Sequence, residues 1–107
     1  MTTAFASVRA TLIAIALLGA PTAEAADTQI KIDNFTFTPE TIEIPVGTTV
    51  KWTNDDDIPH ALAESERRFK SQALDTGDSF SFTFTTAGSY TYFCSLHPHM
   101  KGMIIVK

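Results

Sequence analysis

The run Ser79-Phe80-Ser81-Phe82-Thr83-Phe84 puts three phenylalanines on one side of an extended chain and three hydroxyls on the other. That period of two belongs to a half-buried strand and not to a helix. Gln29–Ile32, Thr41–Ile44, Thr48–Thr53 and Ser89–Cys94 alternate in the same way, and Phe35 and Phe37 alternate with threonines ahead of Thr38-Pro39. Turn residues separate the runs at Asp33-Asn34, Pro45-Val46-Gly47, Asn54–Pro59, Asp75-Thr76-Gly77 and Ala87-Gly88. Met103–Val106 is apolar on both faces, which suits an interior strand. Ala61–Phe69 is the one helix candidate after the leader, and it is short. The pattern predicts an all-β domain, a sandwich or barrel of about seven to eight strands.

Residues 1–25 read as a cleaved signal peptide. Arg9 precedes the apolar run Ala10–Ala20, Pro21 closes it, and Ala23-Glu24-Ala25 offers small residues where a signal peptidase cuts. Eleven apolar residues fall well short of the roughly 20 that span a bilayer. Export to the periplasm is therefore expected, with residues 26–107 as one mature domain and no membrane span. With 12 acidic and 8 basic residues, the chain lacks the basic footprint of a nucleic-acid binder. The sequence holds a single cysteine, so neither an internal disulfide nor a multi-cysteine zinc site can staple this small domain. A bound metal is the remaining familiar staple.

Its ligands concentrate in Cys94-Ser95-Leu96-His97-Pro98-His99-Met100. Tyr90, Tyr92 and Cys94 share parity, so the thiol points with two large aromatics into the core end of the domain. By itself Cys94 would pass for a small buried hydrophobe. Beside two histidines and a methionine it reads as a metal ligand, because soft sulfur with imidazole is what copper selects. The remaining histidine, His60 in Ile58-Pro59-His60, completes a trigonal two-histidine, one-cysteine set more easily than His99. His97 and His99 flank a proline and would both have to converge on one ion.

These residues carry a resemblance. Pro59-His60, Phe69-Lys70-Ser71, Gly77-Asp78-Ser79-Phe80, Gly88-Ser89-Tyr90-Thr91-Tyr92-Phe93-Cys94 and His97-Pro98-His99-Met100-Lys101-Gly102 are similar to the small cupredoxins, the amicyanin, pseudoazurin and plastocyanin group. The resemblance spans nearly all of Ile30–Lys107 and is sharpest in Cys-x-x-His-Pro-x-Met. It implies an eight-stranded Greek-key sandwich holding one type 1 copper ion that cycles between Cu(I) and Cu(II). It further implies His60, Cys94 and His97 as equatorial ligands and Met100 as the long axial one. The expected function is one-electron shuttling by a monomer. A dehydrogenase or cytochrome would be the donor, a cytochrome c or oxidase the acceptor, and the exposed edge of His97 beside Leu96 and Pro98 the electron port.

The chain departs from the group at two places. Ala61 stands where an asparagine usually braces the cysteine loop, which leaves only the Ala61 backbone N–H to donate towards the Cys94 sulfur. His99 stands where amicyanins have an aromatic; it reads as an exposed loop residue, the alternatives being a substitute for His97 or a weak second copper site. Met103 reads as core. Asp55-Asp56-Asp57 reads as a solvated turn, or else as an acidic rim that steers a basic partner. The competing function is a periplasmic copper chaperone or storage protein built on the same His, Cys and Met groups. A cysteine-nucleophile enzyme fares worse, since a small sandwich offers no evident cleft or oxyanion site.

Overall fold

The structure is a computed structural model that describes residues 27–107; the leader and its cleavage site lie outside the described residues. Eight strands follow one another: β1 (Thr28–Asp33), β2 (Thr36–Thr38), β3 (Thr41–Ile44), β4 (Thr49–Asn54), β5 (Leu62–Glu64), β6 (Ser79–Thr83), β7 (Gly88–Cys94) and β8 (His97–Val106). They form two four-stranded sheets, ordered β2-β1-β4-β6 and β3-β8-β7-β5. Parallel pairing of β1 with β4 and of β3 with β8, beside the antiparallel pairs, marks a Greek-key sandwich in which the chain repeatedly changes sheet.

Alternation explains the layers. Ile30 and Ile32, Val50 and Trp52, Tyr90, Tyr92 and Cys94, and Ile104 and Val106 all turn inward and are buried, while their strand neighbours face outward or are half-buried. Phe84 is fully buried, and Phe80 and Phe82 lie half-buried against the same core. Phe69 from the β5–β6 connection packs tilted against Trp52, Phe82 and Tyr92.

The one short helix candidate does not form, and two expectations, on Phe35 and Met103, are corrected. Ala61–Phe69 is no helix but β5 followed by a turn at Ser65–Arg68, because the buried Glu64 carboxylate accepts the N–H groups of Glu66 and Arg68 and pairs with the Arg68 guanidinium. Phe35 does not continue a strand. It sits with Asn34 in a left-handed turn, φ 57° and 53°, and its ring is largely exposed. Met103 lies on the outer face of β8, half-buried, opposite in parity to the buried Gly102 and Ile104, so it neither fills the core nor competes for an axial position.

Gly102 lies directly across from Tyr92 in the β7–β8 ladder, and a Cβ there would run into the tyrosine ring. Gly102→Ala is expected to cost about 1–3 kcal/mol by overpacking, read from urea unfolding of the metal-free protein. Arg68 holds the Glu64 carboxyl below its ordinary 4.5. A depressed carboxyl stabilises the fold above its unfolded pKa and loses that contribution as pH falls through the folded one. Glu64→Gln should therefore lower stability at neutral pH and flatten its decline below pH 4.5, as followed by acid titration of the unfolding midpoint.

Candidate metal centre

Two segments meet at one end of the sandwich. The first is the crossover from β4 in one sheet to β5 in the other, which carries Asp56 and His60. The His60 backbone pairs with Leu74 in both directions, at 3.1 and 2.7 Å. The second is the β7–β8 hairpin, closed by the two-residue turn Ser95-Leu96 with Cys94 opposite His97. Its ladder shifts register between Phe93 and Cys94: Phe93 still faces Lys101, yet Cys94 faces His97. Pro98, His99 and Met100 are thereby left without partners on β7, and an irregularity of this sort re-aims side chains at a strand end.

The result is convergence on one sulfur. Cys94 Sγ lies 3.5 Å from His60 Nδ1 and 3.6 Å from His97 Nδ1, and the three donor atoms all lie within 4.8 Å of one another. Cys94 and His60 are fully buried, Met100 is 3% exposed, and His97 is half-buried. The Ala61 N–H donates to Cys94 Sγ at 3.5 Å, as expected from the sequence, and the Ser95 N–H returns a bond to the Ala61 carbonyl at 2.9 Å. The crossover and the hairpin are thus laced by backbone even without an asparagine at position 61. His99 is exposed and lies outside the cluster of donor atoms.

Asp56 is the residue that sequence reasoning missed. It is buried, at 8% exposure, and its Oδ2 lies 2.9 Å from His60 Nε2 while also accepting the Phe35 N–H at 3.1 Å. The hydrogen bond from His60 comes first among the causes that hold its carboxyl down to about 2. An ionised acceptor on Nε2 fixes which face of the imidazole is free, so Nδ1 presents its lone pair to the sulfur. Asp55 and Asp57 remain exposed, leaving the rim reading to those two alone. The signal available in the sequence was the i, i+4 spacing of Asp56 and His60, which is uninformative in a loop. Phe35 was missed for the same reason. Its ring meets His60 and His97 edge-on at centroid distances of 5.6 and 5.1 Å, contacts that no local pattern announces.

Two imidazole nitrogens gathered around one thiol sulfur suit a soft, trigonally held ion, and copper fits that donor set. Fold and site together define a β-sandwich with a mononuclear metal centre between a crossover and a hairpin. Residues 8–106 match the cupredoxin-like domain model, and the chain belongs to that family. It is 32% identical to amicyanin-alpha of Methylorubrum extorquens over 106 residues, covering 94% of this chain and 89% of the relative. Among solved structures it is similar to a purple cupredoxin from Nitrosopumilus maritimus, with 39% identity, a TM-score of 0.71, and 75% and 99% of the two chains covered. Amicyanin of Paracoccus versutus superposes with a TM-score of 0.72 at 31% identity, covering 79% and 85%.

Asp56→Ala should weaken Cu(II) binding about tenfold or more, the usual consequence of removing the hydrogen-bond partner of a ligand imidazole. Asp56→Asn, which keeps an oxygen in place, should lose much less. Competition against a chelator of known affinity measures both.

Proposed function

We propose that the protein is an exported, periplasmic one-electron carrier that holds one copper ion through His60, Cys94 and His97, with Met100 as a weak axial ligand. The observation carrying the proposal is that two imidazole nitrogens face one buried thiol sulfur at 3.5 and 3.6 Å. Copper supplies a Cu(I)/Cu(II) couple when bound.

The chain's own part is to keep the donors still. Asp56 fixes His60, the Ala61 N–H holds the sulfur, the register shift in β7–β8 sets His97 opposite Cys94, and Met100 is buried on the inward parity of β8. A donor set imposed by the fold changes little between oxidation states, and small rearrangement favours rapid electron exchange. His97 is the ligand nearest solvent, bordered by the exposed side chains of Phe35, Leu96 and Pro98. This edge suits brief contact with redox proteins such as a dehydrogenase, a cytochrome or an oxidase, since small apolar interfaces release quickly.

Other readings lose ground on position. Cys94 is fully buried and walled by both imidazoles, so it offers no substrate a nucleophile; the chain is a carrier and not an enzyme. A chaperone or storage role leaned on His99 and the two methionines. His99 is exposed and Met103 lies on the outer face, both away from the convergence. All four proposed ligands come from one chain, consistent with a working monomer.

The copper(II)-loaded protein should show intense visible absorption from thiolate-to-copper charge transfer and the narrow copper hyperfine splitting of a type 1 site in EPR. Cys94→Ala should abolish both. A colourless product, or colour surviving that substitution, overturns the assignment. Met100→Leu should keep copper and raise the reduction potential measured by voltammetry; complete loss of copper would mean that the axial role is wrong.

A further inference from the structure

Trp52 and Asn54 occupy successive inward places at the end of β4, and both are fully buried. An amide where the alternation calls for an apolar side chain costs solvation unless its polar atoms find partners. Asn54 finds three. Its Nδ2 donates to the Ile58 carbonyl at 2.9 Å and to the Leu74 carbonyl at 2.8 Å, and its Oδ1 accepts the Asp56 N–H at 2.9 Å.

The crossover from β4 to β5 depends on these bonds. Residues 55–61 lie outside the strands, so no long ladder holds their backbone, and its buried polar groups must bond elsewhere. Through the Asp56 N–H, Asn54 sets the residue whose Oδ2 meets His60 Nε2 at 2.9 Å. Through the Leu74 carbonyl it sets the group that also accepts the His60 N–H at 3.1 Å. One side chain thus constrains His60 at both its ring and its backbone. Segment 74–78 closes round the same residues. Thr76 Oγ1 donates to the Asp56 carbonyl at 2.6 Å, the Gly77 N–H to the Asn54 carbonyl at 2.7 Å, and the Asn54 N–H to the Asp78 carbonyl at 2.9 Å. Ala61 offers no side-chain donor beside His60, so the bracing falls to the other end of the crossover. Aspartate has the same shape as asparagine but, when ionised, only accepts, and leucine does neither.

We infer that Asn54 is a positioning residue of the metal centre, which holds His60 so that Nδ1 faces the Cys94 sulfur at 3.5 Å, with segment 74–78 as the outer part of the same frame. The inference rests on the copper reading and deepens it. Asn54 touches neither sulfur nor imidazole; it acts on His60 through Asp56 and Leu74.

Two variants test it, Asn54→Ser and Thr76→Val. Serine keeps an acceptor two residues ahead of the Asp56 N–H and gives up both donors to the carbonyls. Valine removes one bond to Asp56 from an exposed loop position. In the metal-free protein, NMR should show the His60 Nε2 proton exchanging with solvent about tenfold faster in Asn54→Ser, relative to the Ile104 amide of β8. Cu(II) affinity, from chelator competition, should fall about tenfold. Combined with Asp56→Ala, the loss should fall short of the product of the two single losses, because part of the effect of Asn54 passes through Asp56. Thr76→Val should move exchange and affinity in the same direction by a smaller factor.

A merely structural amide predicts otherwise. Its removal speeds exchange at His60 and Ile104 alike and leaves the copper affinity of the folded protein at the wild-type value. Either of those results, or single losses that multiply in full, overturns the inference. If Asn54→Ser does not fold, Thr76→Val decides: faster His60 exchange sustains the positioning role and unchanged exchange sinks it. Should the wild-type protein take up no coloured copper, the copper reading fails, and the His60 proton still tests whether Asn54 positions that ring.

Discussion

The lacing of the 55–61 crossover to the β7–β8 hairpin governs everything else in this molecule. It consists of few contacts: the Ala61 N–H on the Cys94 sulfur, the Ser95 N–H on the Ala61 carbonyl, and both imidazoles facing that sulfur. The two segments are 33 residues apart where they touch, so their approach is imposed by the sandwich and not by local preference. A small domain without a disulfide has few ways to fasten its sheets at one end. A metal held by both segments would do so, which makes stability and redox chemistry two consequences of one arrangement.

Asp56 extends that fastening outward. Through Oδ2 it ties the Asn34-Phe35 turn after β1 to the imidazole of His60, and Phe35 in turn lies edge-on to both histidines. One buried carboxylate thus links the first sheet, the crossover and the solvent-facing ligand. Such a network leaves little freedom for His60, whereas His97 is held mainly by the hairpin and by Phe35. The asymmetry places the donor with fewer hydrogen-bond partners at the surface.

Charge is sorted as well as side-chain size. The acidic surplus sits partly at the crossover, in Asp55 and Asp57, while among the described residues three of the four cations outside ion pairs border the hollows beside Phe93. An excess of one sign steers encounter more than it fixes affinity. Strand register brings Lys70, Ala63, Phe93 and Lys101 into line from three separate stretches of chain.

The strands, and Cys94, His97 and Met100 among the proposed ligands, were legible because they depend on local facts; His60 came from the count of three histidines and from the family resemblance. Alternation records which side of a strand is buried, and a cysteine, two histidines and a methionine within seven residues is rare enough to announce a soft-metal loop. What tertiary structure alone decided was every relation across a long separation: Asp56 withdrawn from a solvated turn, Phe35 laid on two imidazoles, Met103 turned outward and the cationic row assembled. Parity in β8 shows why. From Met100 onward the alternation is regular and readable, but the register shift at Phe93/Cys94 sets Cys94 opposite His97, a pairing no local pattern shows. Local pattern encodes burial of a face; only the paired sheets decide which faces meet.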